Sequence, residues 1–318
     1  MSVAIFSISG MRKLLVLVMA TTLLSQHAEA SVEPQSSLVV IDTGFDTSIP
    51  VIRDATSLEV CILDWSMCPN GSNFQEGPGS ATVSSTSSTS IGIAHGTQMA
   101  SIALDLNPHQ KLILIRFVAY NARGQRMTVF DSTVVQAFRW IYKNREDLNI
   151  RAVAMAQGHH SLLSVKNYCP RNIELERLIT ELKLMGVPVF FPTGNASDKS
   201  RIDWPACIPA SIAVGAVDTE GMIAKYSNYD RNLVDFYATG NAQAMMPGGT
   251  RSSASGTSVS TIFAAVQWLL LAAEKPSLSY RQITQLLRDS GPIIFDDKYR
   301  YGRMIDLQSA LKRLKSYG

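Results

Sequence analysis

Four short stretches set chemically useful side chains just behind apolar runs. In "SLVVIDTGFD" Asp42 closes an aliphatic run, and Thr43 and Gly44 turn the chain after it. In "IAHGTQMASIA" His95 precedes Met99, Ala100, Ile102 and Ala103, a helical spacing that puts His95 and Gly96 at the mouth of a helix. "GVPVFFPTGNAS" reads as a strand followed by Gly194 and Asn195, and "SASGTSVSTIFAAVQWLLLAA" sets Ser258 at the start of an apolar helix reaching about Ala273. A hydroxyl, an imidazole, a carboxylate and a side-chain amide are the parts that attack on a carbonyl needs: nucleophile, base, orienting group and oxyanion donor.

Each part alone has an ordinary structural explanation. An Asp after a strand commonly bonds its own turn. A lone His near a helix start is more often structural, although the positive end of a helix disfavours imidazolium and so suits a base that must begin neutral. Ser258 could be a helix cap, a role worth about 1 kcal/mol. Against that, Thr257 or Ser255 could cap in its place, and Gly256 lets a substrate carbonyl come close to backbone N–H groups.

The elements that must position these groups alternate in type. "LVVID", "KLILIRFV", "AVAMA", "VPVFF", "SIAVGAV" and "LVDFYA" are short, mostly β-branched or aromatic runs that predict strands. Between them lie segments of helical period. Asp131 stands before Val134, Val135, Phe138 and Ile141 as a possible cap, and Leu175, Leu178, Ile179 and Leu182 share a face before Gly186. The pattern predicts an α/β fold, a doubly wound, mostly parallel sheet with helices on both faces. Ligands in such sheets gather at the carboxyl ends of the strands, where Asp42 and Asn195 fall. The Ser- and Thr-rich residues 77–93 predict an exposed loop.

Composition bounds the rest. Met11 to Ala30 has a basic start, an apolar stretch and an Ala28-Glu29-Ala30 end, so residues 1–30 are expected to be a signal peptide and 31–318 one exported domain, periplasmic or extracellular. The apolar run after Ser258 is shorter than the roughly 20 residues of a membrane span, so no span is expected beyond residue 30. With 29 Lys and Arg against 26 Asp and Glu, there is no field to attract nucleic acid. Cys61, Cys68, Cys169 and Cys207 are an even set in an exported chain; of three connectivities, Cys61–Cys68 with Cys169–Cys207 is favoured. A zinc site is the weaker rival, since no C-x-x-C pair occurs and His159 and His160 are adjacent.

Taken in order, "VVIDTGFD", "HGTQMASIA", "FFPTGN" and "SASGTSVS" resemble the four active-site motifs of the subtilisin-like serine proteases, the subtilases. "WPACIPASIAVGAVD" and "YGRMIDLQSAL" extend the resemblance over roughly Ser37 to Leu314. It implies a serine endopeptidase in which Ser258 attacks the peptide carbonyl, His95 relays the proton, Asp42 orients His95, and Asn195 with the Ser258 N–H holds the oxyanion. It also implies that an extended peptide or protein substrate lies against Gly124, Gln125 and Arg126, as far as Met127, and against Ala156, Gln157 and Gly158. "AMAQGHH" departs from the family's usual Ser-Leu-Gly, so Ala156 and Gln157 are expected to reshape the primary pocket.

No metal or cofactor is expected: the helix after His95 runs straight into "LNPHQKLILIRF", where many relatives insert a calcium loop, and Val51 stands where the resemblance implies a carboxylate ligand. Only Ser31 to Ser36 separate the expected cleavage point from the first strand, so no inhibitory prodomain is recognisable, and a monomer is expected. The rival to an active protease is an inactive or latent subtilase-like protein that binds extended peptides. A transpeptidase using the same acyl-enzyme is a third reading.

Overall fold

The computed structural model describes residues 36–65, 67–82, 91–121, 124–159, 169–296 and 301–315. The chain divides between Glu33 and Pro34. The expected signal peptide, His160 and residues 83–90 of the Ser- and Thr-rich stretch lie outside the described residues.

In chain order the elements are β1 (Ser37–Asp42), α1 (Pro50–Ala55), β2 (Thr56–Ile62), β3 (Phe74–Glu76), α2 (Ile91–Leu106), β4 (Lys111–Arg116), α3 (Asp131–Asn144), β5 (Ile150–Met155), α4 (Ile173–Leu184), β6 (Val189–Pro192), β7 (Ile212–Val217) and β8 (Phe236–Thr239). There follow β9 (Asn241–Met245), β10 (Arg251–Ser255), α5 (Thr257–Glu274), α6 (Tyr280–Arg288), β11 (Ile293–Phe295), β12 (Tyr301–Arg303) and α7 (Leu307–Lys315). Eight strands form one sheet in the order β3-β2-β4-β1-β5-β6-β7-β8, parallel except for the antiparallel edge strand β3. This is the doubly wound α/β arrangement expected, and all six predicted strands belong to its parallel part.

The two-residue period of a strand divides β1 between two cores. Leu38 and Val40 join the cluster beneath α2 and α5, whereas Val39 and Ile41 join the cluster beneath α3 and α4. A central strand covered on both faces has to be apolar throughout, which is why "SLVVI" shows no alternation. The helix α5 is long and apolar enough to cross a membrane by composition, but it packs on β5, β6, β7 and β8 and against α2, as a core helix does.

Two expectations change in detail. The helix α2 begins at Ile91, inside the expected loop, so His95 lies in its second turn rather than at its mouth. Asp131 is the first residue of α3, not its cap; Phe130 holds the cap position without a side-chain bond. Tyr120 and Arg126 make an antiparallel bridge. Both favoured disulfides, Cys61–Cys68 and Cys169–Cys207, are present.

Candidate functional site

Asp42 ends β1, Ala156 follows β5 and Asn195 lies three residues beyond β6, so neighbouring parallel strands deliver them to one edge of the sheet. Asp42 is fully buried, and His95 Nδ1 stands 2.8 Å from its Oδ1 and 2.9 Å from its Oδ2. The Thr43 N–H also donates to Oδ1, at 2.6 Å, so the turn-bonding role anticipated for Asp42 coexists with the contact to His95.

The pair is held by the approach of α2 to β1. Thr43 Oγ1 donates to Ile93 O at 3.2 Å and accepts from Gly96 N at 3.1 Å, clamping the helix to the end of the strand. Gly96 has to be glycine: a Cβ there would meet Gly44 O at 2.3 Å.

Ser258 is the second residue of α5. The cap position belongs to Gly256, whose φ of 143° favours glycine and which makes no side-chain bond. The Ser258 hydroxyl donates to Ala156 O at 2.9 Å instead of accepting from the helix, so it is not a cap. Its acceptor here is Ala156 rather than His95.

Thr257, which the sequence offered only as an alternative cap, is the first residue of α5 and orients Asn195. Its N–H and its Oγ1 both donate to Asn195 Oδ1, at 2.9 and 3.0 Å, while Oγ1 accepts from Gly194 N at 3.2 Å. A backbone N–H can only donate, so the amide oxygen must face Thr257, and Nδ2 is turned the other way, alongside Gly256.

His95, Asn195 and Ser258 line one cavity of about 460 Å³. Of the residues expected to bind substrate, Arg126, Ala156, Gln157 and Gly158 line it, and Gly124 and Gln125 do not. A second cavity of about 850 Å³ shares Arg126, Gln157 and Gly158 and runs past Phe130, His159 and Trp204.

Gln157 does more than form a wall. Its Nε2 donates to Asp42 Oδ1 at 3.1 Å and lies 3.0 Å from His95 Nδ1, and its Oε1 accepts from Arg126 Nη1 at 3.0 Å. Burial, opposed by the nearby charge of Arg126 and reinforced by that of Asp42, pushes the Tyr120 phenol at the cavity edge up to about 12. Asp203, also unanticipated, lines the cavity with 8% of its surface exposed. Among the described residues no three His, Cys, Asp or Glu side chains converge as a metal-binding group, and α2 passes to β4 through residues 107–110 alone.

A sequence profile of the subtilase family matches residues 35–302. The chain belongs to that family. It is a subtilisin-like serine protease. Subtilisin E of Bacillus subtilis (strain 168) is 26% identical over 292 residues, covering 89% of this chain and 68% of the subtilisin. Subtilisin BL of Lederbergia lenta is 29% identical over 222 residues, covering 67% of this chain and 75% of its own. Among solved structures, a mutant of the protease domain of PatA superposes with a TM-score of 0.69 at 18% identity, over 91% of this subtilase and 99% of that domain.

Proposed function

We propose that this subtilase is an exported serine endopeptidase that hydrolyses peptide bonds through an acyl-enzyme. The observation that carries the reading is the meeting of a buried carboxylate–imidazole pair, an oriented amide and a helix-borne serine around one cavity. Ser258 attacks the carbonyl carbon, and its proton passes to His95 Nε2 and then to the leaving amine. Asp42 holds Nδ1 protonated and stabilises the imidazolium that forms. Asn195 Nδ2 and the Ser258 N–H receive the oxyanion. Water then attacks the acyl-enzyme by the reverse sequence, releasing the carboxylate.

Attack requires the Ser258 hydroxyl to exchange Ala156 O for His95 Nε2. A substrate laid along Ala156–Gly158 presents backbone N–H groups that compete for that carbonyl, so binding itself releases the nucleophile to its base. Such bonds commonly tighten only when substrate is bound. Export agrees with the expected signal peptide at residues 1–30 and with the two disulfides, which persist in oxidising compartments.

The test is digestion of an unfolded polypeptide in isotopically labelled water, followed by mass spectrometry. The expected result is internal cleavage with label in the new carboxyl termini, absent with Ser258→Ala. Products joined to added amines in preference to water would indicate a transpeptidase. Binding of extended peptides without any cleavage would indicate the inactive, peptide-binding alternative.

A further inference from the structure

The bond between Arg126 and Gln157 fixes a cation without neutralising it. The Asp42 carboxylate can only accept, so the Gln157 amide must turn Nε2 toward it, at 3.1 Å, and this leaves Oε1 as the acceptor of the Arg126 Nη1–H, at 3.0 Å. Gln157 is buried and its side chain is held at both ends, so the guanidinium is anchored to a defined point although Arg126 itself is exposed.

The anchor is a neutral amide, and Arg126 makes no ion pair among the described residues. Asp42 is separated from it by the Gln157 amide and is already shared by His95 and the Thr43 N–H. The Tyr120 phenol feels the charge, but burial pushes that group up to about 12, so it stays protonated and neutral at ordinary pH. Of the other acids that line the two cavities, Asp203 accepts from Asn228 and Asp131 is an exposed residue of α3.

The cation also stands where a substrate must pass, because Arg126, Gln157 and Gly158 line both cavities. The Ser258 hydroxyl donates to Ala156 O, so the nucleophile is level with Ala156, and Gln157, one residue further on, holds the guanidinium. An extended chain advances about 3.3 Å per residue, so the substrate residue next to the one attacked comes level with Arg126. A guanidinium offers a planar fork of N–H donors, of which Gln157 occupies only Nη1, and a carboxylate is the partner whose two oxygens match such a fork.

We propose that Arg126 selects substrates with an acidic side chain, Asp or Glu, at the residue immediately before the one that contributes the scissile carbonyl. The acyl half of the substrate then lies along Ala156–Gly158 toward the second cavity, and the carboxylate pairs with the guanidinium N–H groups that Gln157 leaves unused. The pair forms in the bound substrate and persists in the transition state, so it lowers KM with little change in kcat. The assignment rests on the reading of Ser258 as nucleophile, because that reading fixes which substrate residue is level with Arg126.

The test is kcat/KM for a peptide cleaved at one mapped bond, with that residue set in turn to Glu, Gln or Lys. Glu should exceed Gln by about three- to fivefold, the scale of an exposed ion pair, and Lys should fall below Gln. Raising the salt concentration should shrink the Glu-to-Gln ratio. Arg126→Gln keeps an amide donor for Gln157 Oε1 and removes the charge, and in it the ratio should approach one. Wild-type turnover of the Gln or Lys peptide equal to that of the Glu peptide would overturn the proposal, whether or not the variant folds, and so would a Glu preference that Arg126→Gln retains. If no peptide is cleaved, the hydrolytic reading fails and a second arm still decides the site: fluorescence anisotropy of labelled, otherwise neutral hexapeptides carrying one internal Glu or Lys, titrated with Ser258→Ala and with Ser258→Ala combined with Arg126→Gln. Tighter binding of the Glu peptide that is lost with Arg126→Gln supports the assignment, and equal binding of the two peptides refutes it.

Discussion

The two sides of the cavity are built differently. On the side of Asp42, His95, Asn195 and Ser258, every group sits at the end of a buried strand or in the first turns of a packed helix, and backbone N–H groups help fix both Asp42 and Asn195. On the other side, Arg126 comes from an exposed segment outside the sheet and reaches the buried pair through its bond to the Gln157 side chain. Bond making requires positions fixed to a few tenths of an ångström, and a sheet supplies them. Recognition of varied substrates tolerates adjustment, and loops supply that.

The largest expected effect comes from removing the proposed nucleophile. Ser258→Ala should lower kcat on the order of 10⁶-fold, the scale of the corresponding loss in subtilisin, while circular dichroism stays unchanged. Gly96→Ala should attack the scaffold instead. The added methyl must push α2 from β1, so both the melting temperature and kcat should fall, and the Asp42–His95 separation in a crystal structure should lengthen.

Thr257→Val comes next, because it removes the hydroxyl that Asn195 and Gly194 share while leaving the Thr257 N–H in place. Losing the Asn195 amide outright would cost roughly 10²- to 10³-fold in kcat, as it does in subtilisin, and disorienting it should cost less, about tenfold. KM should hardly change.

Gln157→Leu sharpens the comparison between the two sides. It deletes one donor to Asp42 and breaks the contact with Arg126, so kcat should fall by about tenfold or less, with the pH profile of kcat/KM displaced. Arg126→Ala should do least, a few-fold at most, and should act on KM more than on kcat. An Arg126 effect equal to that of Thr257→Val would mean that the two sides are not distinct.

Legibility in the sequence followed the same division. Strands buried on both faces announce themselves as unbroken aliphatic runs, and all six were readable. The strand β2 was not, because Ser57 and Glu59 interrupt its apolar residues, and Glu59 is spent on N–H groups of Gly79 and Ala81 more than 15 residues away. Short antiparallel pairs such as β9–β10 carry too few residues to stand out. In the site, Asp42, His95, Asn195 and Ser258 were readable because local turn chemistry and a family resemblance both mark them. Thr257, Gln157 and Asp203 take their roles from partners 62, 115 and 25 residues away, and no local spacing encodes such contacts. Gln157 was assigned to the pocket wall, and only its side-chain bonds reveal its second attachment to Asp42.

The most direct test of the central claim is intact mass spectrometry of the purified protein after exposure to a fluorophosphonate, with His95→Ala treated in parallel. A single adduct, mapped to Ser258 and lost when His95 is removed, is the predicted result. Folded wild-type protein that gains no adduct, or one that labels equally well without His95, would contradict the account of Ser258 as a nucleophile activated by the buried Asp42–His95 pair.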